Sequence, residues 1–477
     1  MRSITHSAHL QDCRPLLRKR PASRCLAAVR PRCVASPPSP SPPAPVGRGS
    51  GNGKLVPAGQ AGKPARLAFV DEEGKLIKPM PADYGFRSGS GRLYQQDYGT
   101  IPKNAWELGV ENFRRELRAL RRAVRFNELA AVEGEAGEAM AGPGYRASFS
   151  VARGISRAFA KLDEWLEGRN VFNELTEPPL TQMEGELTAE QREVLAKVRG
   201  LTLDDSKVAD RERARYAATS GLPAPLPIRL IYGSLCWMLD VLYAGRPIQR
   251  FWILETVARM PYFVYISMLH LYETLGWWRA GAELRKVHFA EEWNELHHLQ
   301  IMEALGGDLK WIDRFVAEHA AVVYYWMLIV IYLISPSASY QFMEIVEGHA
   351  VDTYTEFAEQ NREVLQQIPP PLVALNYYKS GDLYLFDEFQ TSWKASGERR
   401  RPPCNNLYDV FINIRDDEME HVKTMAACQD GSIALDLENG QALADFASEQ
   451  HIASIPPWDE EEEGQAAPQL PAPPSKQ

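Results

Sequence analysis

Asn294-Glu295-Leu296-His297-His298 and Arg415-Asp416-Asp417-Glu418-Met419-Glu420-His421 decide how this chain is read. Each holds a Glu-x-x-His pair, Glu295 with His298 and Glu418 with His421, whose side chains stand one turn apart on one face of a helix. Those faces are otherwise largely apolar: Met302 continues the first, and Phe411, Ile414 and Met425 continue the second. Two single acids are set into apolar stripes in the same way. Glu255 lies among Phe251, Leu254, Ala258 and Tyr262, and Glu347 is aligned with Ala350, Val351 and Tyr354. A carboxylate buried alone is strongly disfavoured, so four turned into a core require a compensating cation. Oxygen and imidazole donors in this combination suit iron or manganese better than zinc, which prefers four ligands, or calcium, which avoids imidazole. One Glu-x-x-His pair arises by chance in a chain of this length, and a lone Glu on an aromatic helix more often sits at a solvated edge. The ordered set of four carries the reading.

Working outward, apolar residues recur at three and four spacing from Pro225 onward, with Gly and Pro confined to boundaries. The pattern predicts helices over 226–244, 248–275, 280–305, 309–334, 337–362 and 405–428. Turns fall at Gly306-Gly307-Asp308 and Ser335-Pro336-Ser337, and a longer insertion runs from Pro369 to Pro403. The expected class is all-α, a ferritin-like four-helix di-iron bundle with additional membrane-associated helices. In that plan Glu, Glu-x-x-His, Glu and Glu-x-x-His come from four helices.

Four segments are expected: a leader over 1–50, a variable and partly ordered lead-in over 51–220, the metal-binding domain over 225–430, and an acidic, Pro-rich tail over 431–477. The leader holds nine Lys and Arg against Asp12 alone and runs into the Pro-rich stretch Ser36–Pro45, the composition of an organelle transit peptide. In the lead-in, helical patches such as Trp106–Leu129 and Leu187–Val198 are interrupted by the low-complexity stretch Glu133–Gly144. The chain carries 53 Lys and Arg against 62 Asp and Glu, a net charge of −9, and no basic face beyond the leader, which argues against nucleic acid as a partner. Six cysteines without a C-x-x-C pair exclude a zinc ribbon. The longest apolar run, Ala320–Ile334, makes about 22 Å of helix, short of the ~30 Å hydrocarbon core, so no transmembrane helix is expected. The segment 225–290 is instead locally basic and rich in Trp and Tyr, which suits a membrane surface. Of Trp237, Trp252, Trp277 and Trp278, most are expected in the bundle core.

The four motifs, written out as Leu254-Glu255-Thr256-Val257-Ala258-Arg259, Asn294–His298, Glu347–Tyr354 and Arg415–His421, resemble the iron-binding motifs of the alternative oxidase family. Tyr272–Trp278, Met302–Gly307 and the insertion Gly381–Gln390 are similar to its plastid terminal oxidase branch. The resemblance covers roughly 225–430. It implies a membrane-attached non-haem di-iron plastoquinol oxidase that reduces O2 to water without proton pumping, with two Fe ions held by Glu255, Glu295, His298, Glu347, Glu418 and His421. It further implies a redox role for Tyr354, ligand-orienting hydrogen bonds from Asn294 and Asp417, and a quinol pocket containing Arg250, Leu254, Ala350 and Thr353. By the same resemblance the expected setting is the stromal face of the chloroplast thylakoid membrane, attached monotopically through the first and fourth predicted helices, as a homodimer. Mitochondrial members carry a regulatory cysteine in their N-terminal region; none lies between Cys33 and Cys236 here. Rival readings are a plastid acyl desaturase, a quinone-ring hydroxylase and a non-enzymatic homologue. The Leu-Glu-Thr and Arg-Asp-Asp-Glu contexts argue against the first, the long insertion against the second, and six filled ligand positions against the third.

Overall fold

A computed structural model describes residues 69–85, 103–137, 143–175, 185–218, 224–279, 281–380, 383–390 and 400–431. The leader and the acidic tail beyond residue 431 lie outside these residues. Among the described residues the structure is helical, with one isolated bridge between Val70 and Leu76. The lead-in supplies α1 (Ala105–Arg125), α2 (Glu128–Ala136), α3 (Pro143–Gly168), α4 (Ala189–Arg199) and α5 (Asp205–Ala218). Then come α6 (Leu226–Tyr243), α7 (Pro247–Thr274), α8 (Gly281–Ala304), α9 (Trp311–Ile334) and α10 (Pro336–Gln360). After three short helical turns over 362–380 and Leu383–Glu388, α11 (Leu407–Ala427) closes the bundle.

The six expected helices are all present, and local chemistry sets their ends. Ser335 caps α10 by accepting from Ala338 N at 3.2 Å, with Pro336 in the first turn. Asn406 caps α11 by accepting from Asp409 N at 3.0 Å. Gly306, at φ +87°, stops α8 in a conformation that only glycine adopts freely. Packing is closest between α7 and α8 and between α10 and α11, and the two pairs face each other across the interior. α9 lies along α7, and α5 lies along α10, where Gly348 leaves room for the Arg215 guanidinium.

Two expectations fail. α9 runs 24 residues, about 36 Å, so both it and α6 are long and apolar enough to cross a membrane. The expected bounds of this helix, 309–334, agree with the structure; the membrane expectation failed because it counted only the apolar run from Ala320, although Asp313 in the first turn is buried against Arg246. Trp237 and Trp277 are exposed and only Trp252 of the four tryptophans is fully buried, so most of them are not core. α6 and α9 instead turn apolar side chains outward, with Leu230 and Trp237 on one and Val323, Trp326 and Val330 on the other all more than half exposed.

Candidate metal centre

Burial and helical register bring the predicted acids and imidazoles to one place. α7 presents Glu255, α8 presents Glu295 and His298, α10 presents Glu347, and α11 presents Glu418 and His421; none is more than 2% exposed. Their donor atoms form two overlapping groups, each within a 4.8 Å span. Glu255, Glu295, His298 and Glu418 make one, and Glu295, Glu347, Glu418 and His421 make the other. Glu295 and Glu418 belong to both. His298 Nδ1 stands 3.2 Å from Glu418 and 3.7 Å from Glu295, while His421 Nδ1 stands 2.9 Å from Glu295 and 3.3 Å from Glu418.

Electrostatics give the cluster its meaning. Among the described residues no Lys or Arg is paired with any of the four carboxylates. Glu255 Oε2, both oxygens of Glu295, Glu418 Oε2, His298 Nδ1 and both nitrogens of His421 are buried without a hydrogen-bond partner. Burial, reinforced by Glu295 and Glu418, pushes the Glu255 and Glu347 carboxyls well above the usual range. Burial also opposes charge on Glu295, His298 and His421, but their mutual attraction outweighs it, holding Glu295 down and both imidazoles up. Among the described residues, protons are thus the positive charges set against these acids, and a bound metal cation would displace them. Inward-facing, unpartnered oxygen and nitrogen donors on four helices fit a metal site.

A second layer holds the donors in place. Asp417 Oδ2 meets His298 Nε2 at 3.2 Å, which leaves Nδ1 aimed at the carboxylates. The same oxygen accepts from Asn294 Nδ2 at 3.0 Å and from Tyr378 OH at 2.9 Å, and Arg400 pairs with the other oxygen of Asp417. Asn294 also donates to Tyr377 OH at 2.8 Å. Tyr262 donates to Glu347 at 2.8 Å, and Tyr354 donates to Glu255. Tyr354 stacks on Phe251 with ring centroids 4.3 Å apart, so its ring is fixed on the apolar side and its hydroxyl on the acidic side. Burial, and after it Glu255, drives the Tyr354 phenol pKa well up, so it keeps its proton.

An apolar cavity between α6, α7, α9 and α10 reaches this cluster. Leu254, Ala350, Tyr324 and Met343 line it, and Glu255, Glu347, Glu418 and Tyr354 form its inner end. The expected pocket residues divide. Leu254 and Ala350 line the cavity, whereas Arg250 and Thr353 do not. Arg250 is buried in ion pairs with Asp205 at 2.7 Å and Asp240 at 2.9 Å, and Thr353 donates to the His349 carbonyl at 2.7 Å.

Sequence reading passed over Tyr377, Tyr378 and Arg400, which sit in or beside the aperiodic insertion, and treated Tyr262 as one more apolar position. Only a polar atom on an otherwise apolar stripe marked Tyr262. Nothing in spacing marked the other three.

The family model described as alternative oxidase matches residues 231–430. The chloroplastic/chromoplastic ubiquinol oxidase 4 of Arabidopsis thaliana is 56% identical over 196 residues, 41% of this chain and 55% of that protein. The mitochondrial ubiquinol oxidase 1c of Arabidopsis thaliana is 25% identical over 204 residues, 42% of this chain and 55% of that protein. The mitochondrial ubiquinol oxidase 1b of Oryza sativa subsp. japonica is 27% identical over 203 residues, 42% of this chain and 54% of that protein. The chain spans about half the length of the curated relatives it matches. Residues 231–430, which contain all six metal-ligand candidates, form an alternative oxidase family domain.

Proposed function

We propose that this chain is a membrane-attached, non-haem di-iron plastoquinol oxidase that couples plastoquinol oxidation to four-electron reduction of O2 to water without proton pumping. The observation that carries the reading is the pair of overlapping donor groups sharing Glu295 and Glu418 at the inner end of an apolar cavity. Two irons would be held there, one by Glu255 and His298, the other by Glu347 and His421, with Glu295 and Glu418 common to both. When bound, they supply the electron storage and O2 chemistry that amino acids lack.

The rest falls to the protein. Leu254 and Ala350 form apolar walls for a quinol ring and exclude water from the inner end. Glu255 and Tyr354 close the inner end of the cavity, where the Tyr354 hydroxyl donates to Glu255 and orients it. Asp417 and Asn294 fix the His298 tautomer. The outward apolar rows of α6 and α9 support monotopic attachment to a membrane, from which a lipid-soluble quinol reaches the cavity between them. The transit-peptide composition of the leader and the chloroplastic/chromoplastic relative support a plastid setting, and the family resemblance implies the stromal face of the thylakoid and a homodimer.

The test is O2 uptake by iron-loaded protein in liposomes with a plastoquinol analogue, against Glu418→Ala. One O2 consumed for every two quinols, without peroxide and lost in the variant, is the expected result. Metal bound without quinol-dependent uptake would point to a hydroxylase or desaturase. No metal bound would remove the site.

A further inference from the structure

α3 lies outside the family domain and carries two faces. One packs inward: Arg121 and Arg125 of α1 hold Asp163 at 2.5 and 3.0 Å, and both reach Glu167. On the opposite side Val151, Ile155, Phe159, Leu162 and Trp165 recur at three and four spacing, each about half exposed or more. A row of large apolar side chains along a 26-residue helix is poorly hydrated and calls for a partner. Its border is cationic, with Arg146, Arg157 and Lys161 exposed beside it and the Arg169 guanidinium 4.3 Å from the Trp165 ring centroid. The Asp163 and Glu167 charges are already met by α1, and the exposed Glu164 on the cationic side stands 3.8 Å from Arg125, leaving the border net positive.

The position of α3 narrows the choice of partner. Tyr145 and Phe149 pack on Ala244, just past α6. An open cavity of about 530 Å³ joins this end of α3 to Leu242 of α6 and Ile312 of α9, at the near ends of the outward apolar rows. Neighbouring α2 is tied down by Glu128, which accepts from Trp311 N at 2.6 Å, and by Glu135, which pairs with Lys310.

We propose that α3 is a second membrane-lying element, extending the apolar face of α6 and α9 onto an anionic lipid surface. This rests on the membrane reading of α6 and α9 given above. The cationic border matches anionic headgroups, with the apolar row sinking between them. A second copy of the chain would set one row of Arg and Lys against another, so self-association is the poorer match.

Flotation of the full chain with vesicles tests this, using neutral phosphatidylcholine alone and mixed with anionic phosphatidylglycerol, at low and high salt. Ile155→Glu/Phe159→Glu should lower binding to anionic vesicles about tenfold or more, with a smaller loss on neutral vesicles or in high salt. Val323→Glu/Trp326→Glu on α9 is the companion variant. If the α9 pair loses binding and the α3 pair keeps all of it, α3 is no membrane element, while the membrane reading stands. If the unsubstituted chain binds no vesicle, both readings fall. If the α3 pair changes only the mass of the particle in solution, the row is a seam between copies and the proposal is overturned. Matching circular dichroism and thermal unfolding show that the variants fold. Independently, a spin label at Ile155→Cys should become shielded from water-soluble relaxants on anionic vesicles; unchanged accessibility would overturn the proposal.

Discussion

Two buried charged regions lie on the same helices, and they are built on opposite terms. Where α5 packs on α10 and α7, acids meet arginines: Glu356 meets Arg211 at 2.7 Å, Asp352 meets Arg215 at 2.9 Å, and Asp205 meets Arg250 at 2.7 Å. Where α7, α8, α10 and α11 converge, four carboxylates meet two imidazoles and no Lys or Arg. The bundle can bury arginine where it needs a fixed positive charge. Its exclusion from the centre marks a place reserved for a cation from outside, and an acid's burial alone would not have distinguished the two regions.

The largest expected effect breaks the centre while sparing the ion pairs. Glu295→Ala and Glu418→Ala each damage both donor groups and should reduce bound metal to background by elemental analysis. Glu255→Ala or Glu347→Ala touches one group and should leave one equivalent bound. Full metal retention in Glu418→Ala would mean that the acids are not a metal site. On the other side, Arg250→Ala should cost about 1–3 kcal/mol in denaturant unfolding, since Asp205 and Asp240 lose their partner but are themselves partly open to water. That loss should persist with metal removed; a loss seen only in the metal-loaded protein would merge the two regions into one.

Asp417→Asn sharpens the boundary between them. It removes the carboxylate behind His298 and should weaken metal binding roughly 10–100-fold in chelator competition, with a loss of metal-free stability as well because Arg400 loses its buried partner. The smallest effect concerns Glu212 of α5. Burial pushes its carboxyl up, but His349, Tyr232 and Tyr216 outweigh this and hold it at about 2, against an ordinary value of 4.5. A depressed carboxyl stabilises the fold fully above pH 4.5 and loses that contribution as pH falls toward 2. The native chain should therefore exceed Glu212→Gln by on the order of 1–2 kcal/mol at pH 6, with the gap closing across that window in acid unfolding. A gap independent of pH would assign Glu212 a role in packing alone.

How far each region could be read from sequence follows from the same contrast. Glu255, Glu295, His298, Glu347, Glu418 and His421 were visible because each interrupts an apolar helical period, and the period also located the six helices. The ion pairs left no such trace. Arg250, named for the quinol pocket by family resemblance, reaches Asp205 across 45 residues, an ion pair that no spacing announces. Arg400 pairs with Asp417 from the end of an aperiodic insertion, which no spacing rule anticipates. The extent of α9 was legible, over 309–334, but its membrane-length character was not, because only the apolar run from Ala320 was counted. Asp313 and Arg314 are themselves buried, Asp313 against Arg246 and Arg314 on the Asp308 and Leu309 carbonyls.

One contact has a consequence for inheritance. α5 lies before residue 231, yet its Arg215 crosses the backbone of α10 where Gly348 has no side chain, beside Glu347. A Cβ at Gly348 would stand 2.6 Å from that guanidinium. The two positions are therefore linked: a side chain at 348 would push the Arg215 guanidinium from its place on α10, and with it the ion pair to Asp352. Grafting residues 231–430 onto another leader would carry over the six metal-ligand candidates but leave behind the neighbour that packs on the helix bearing one of them.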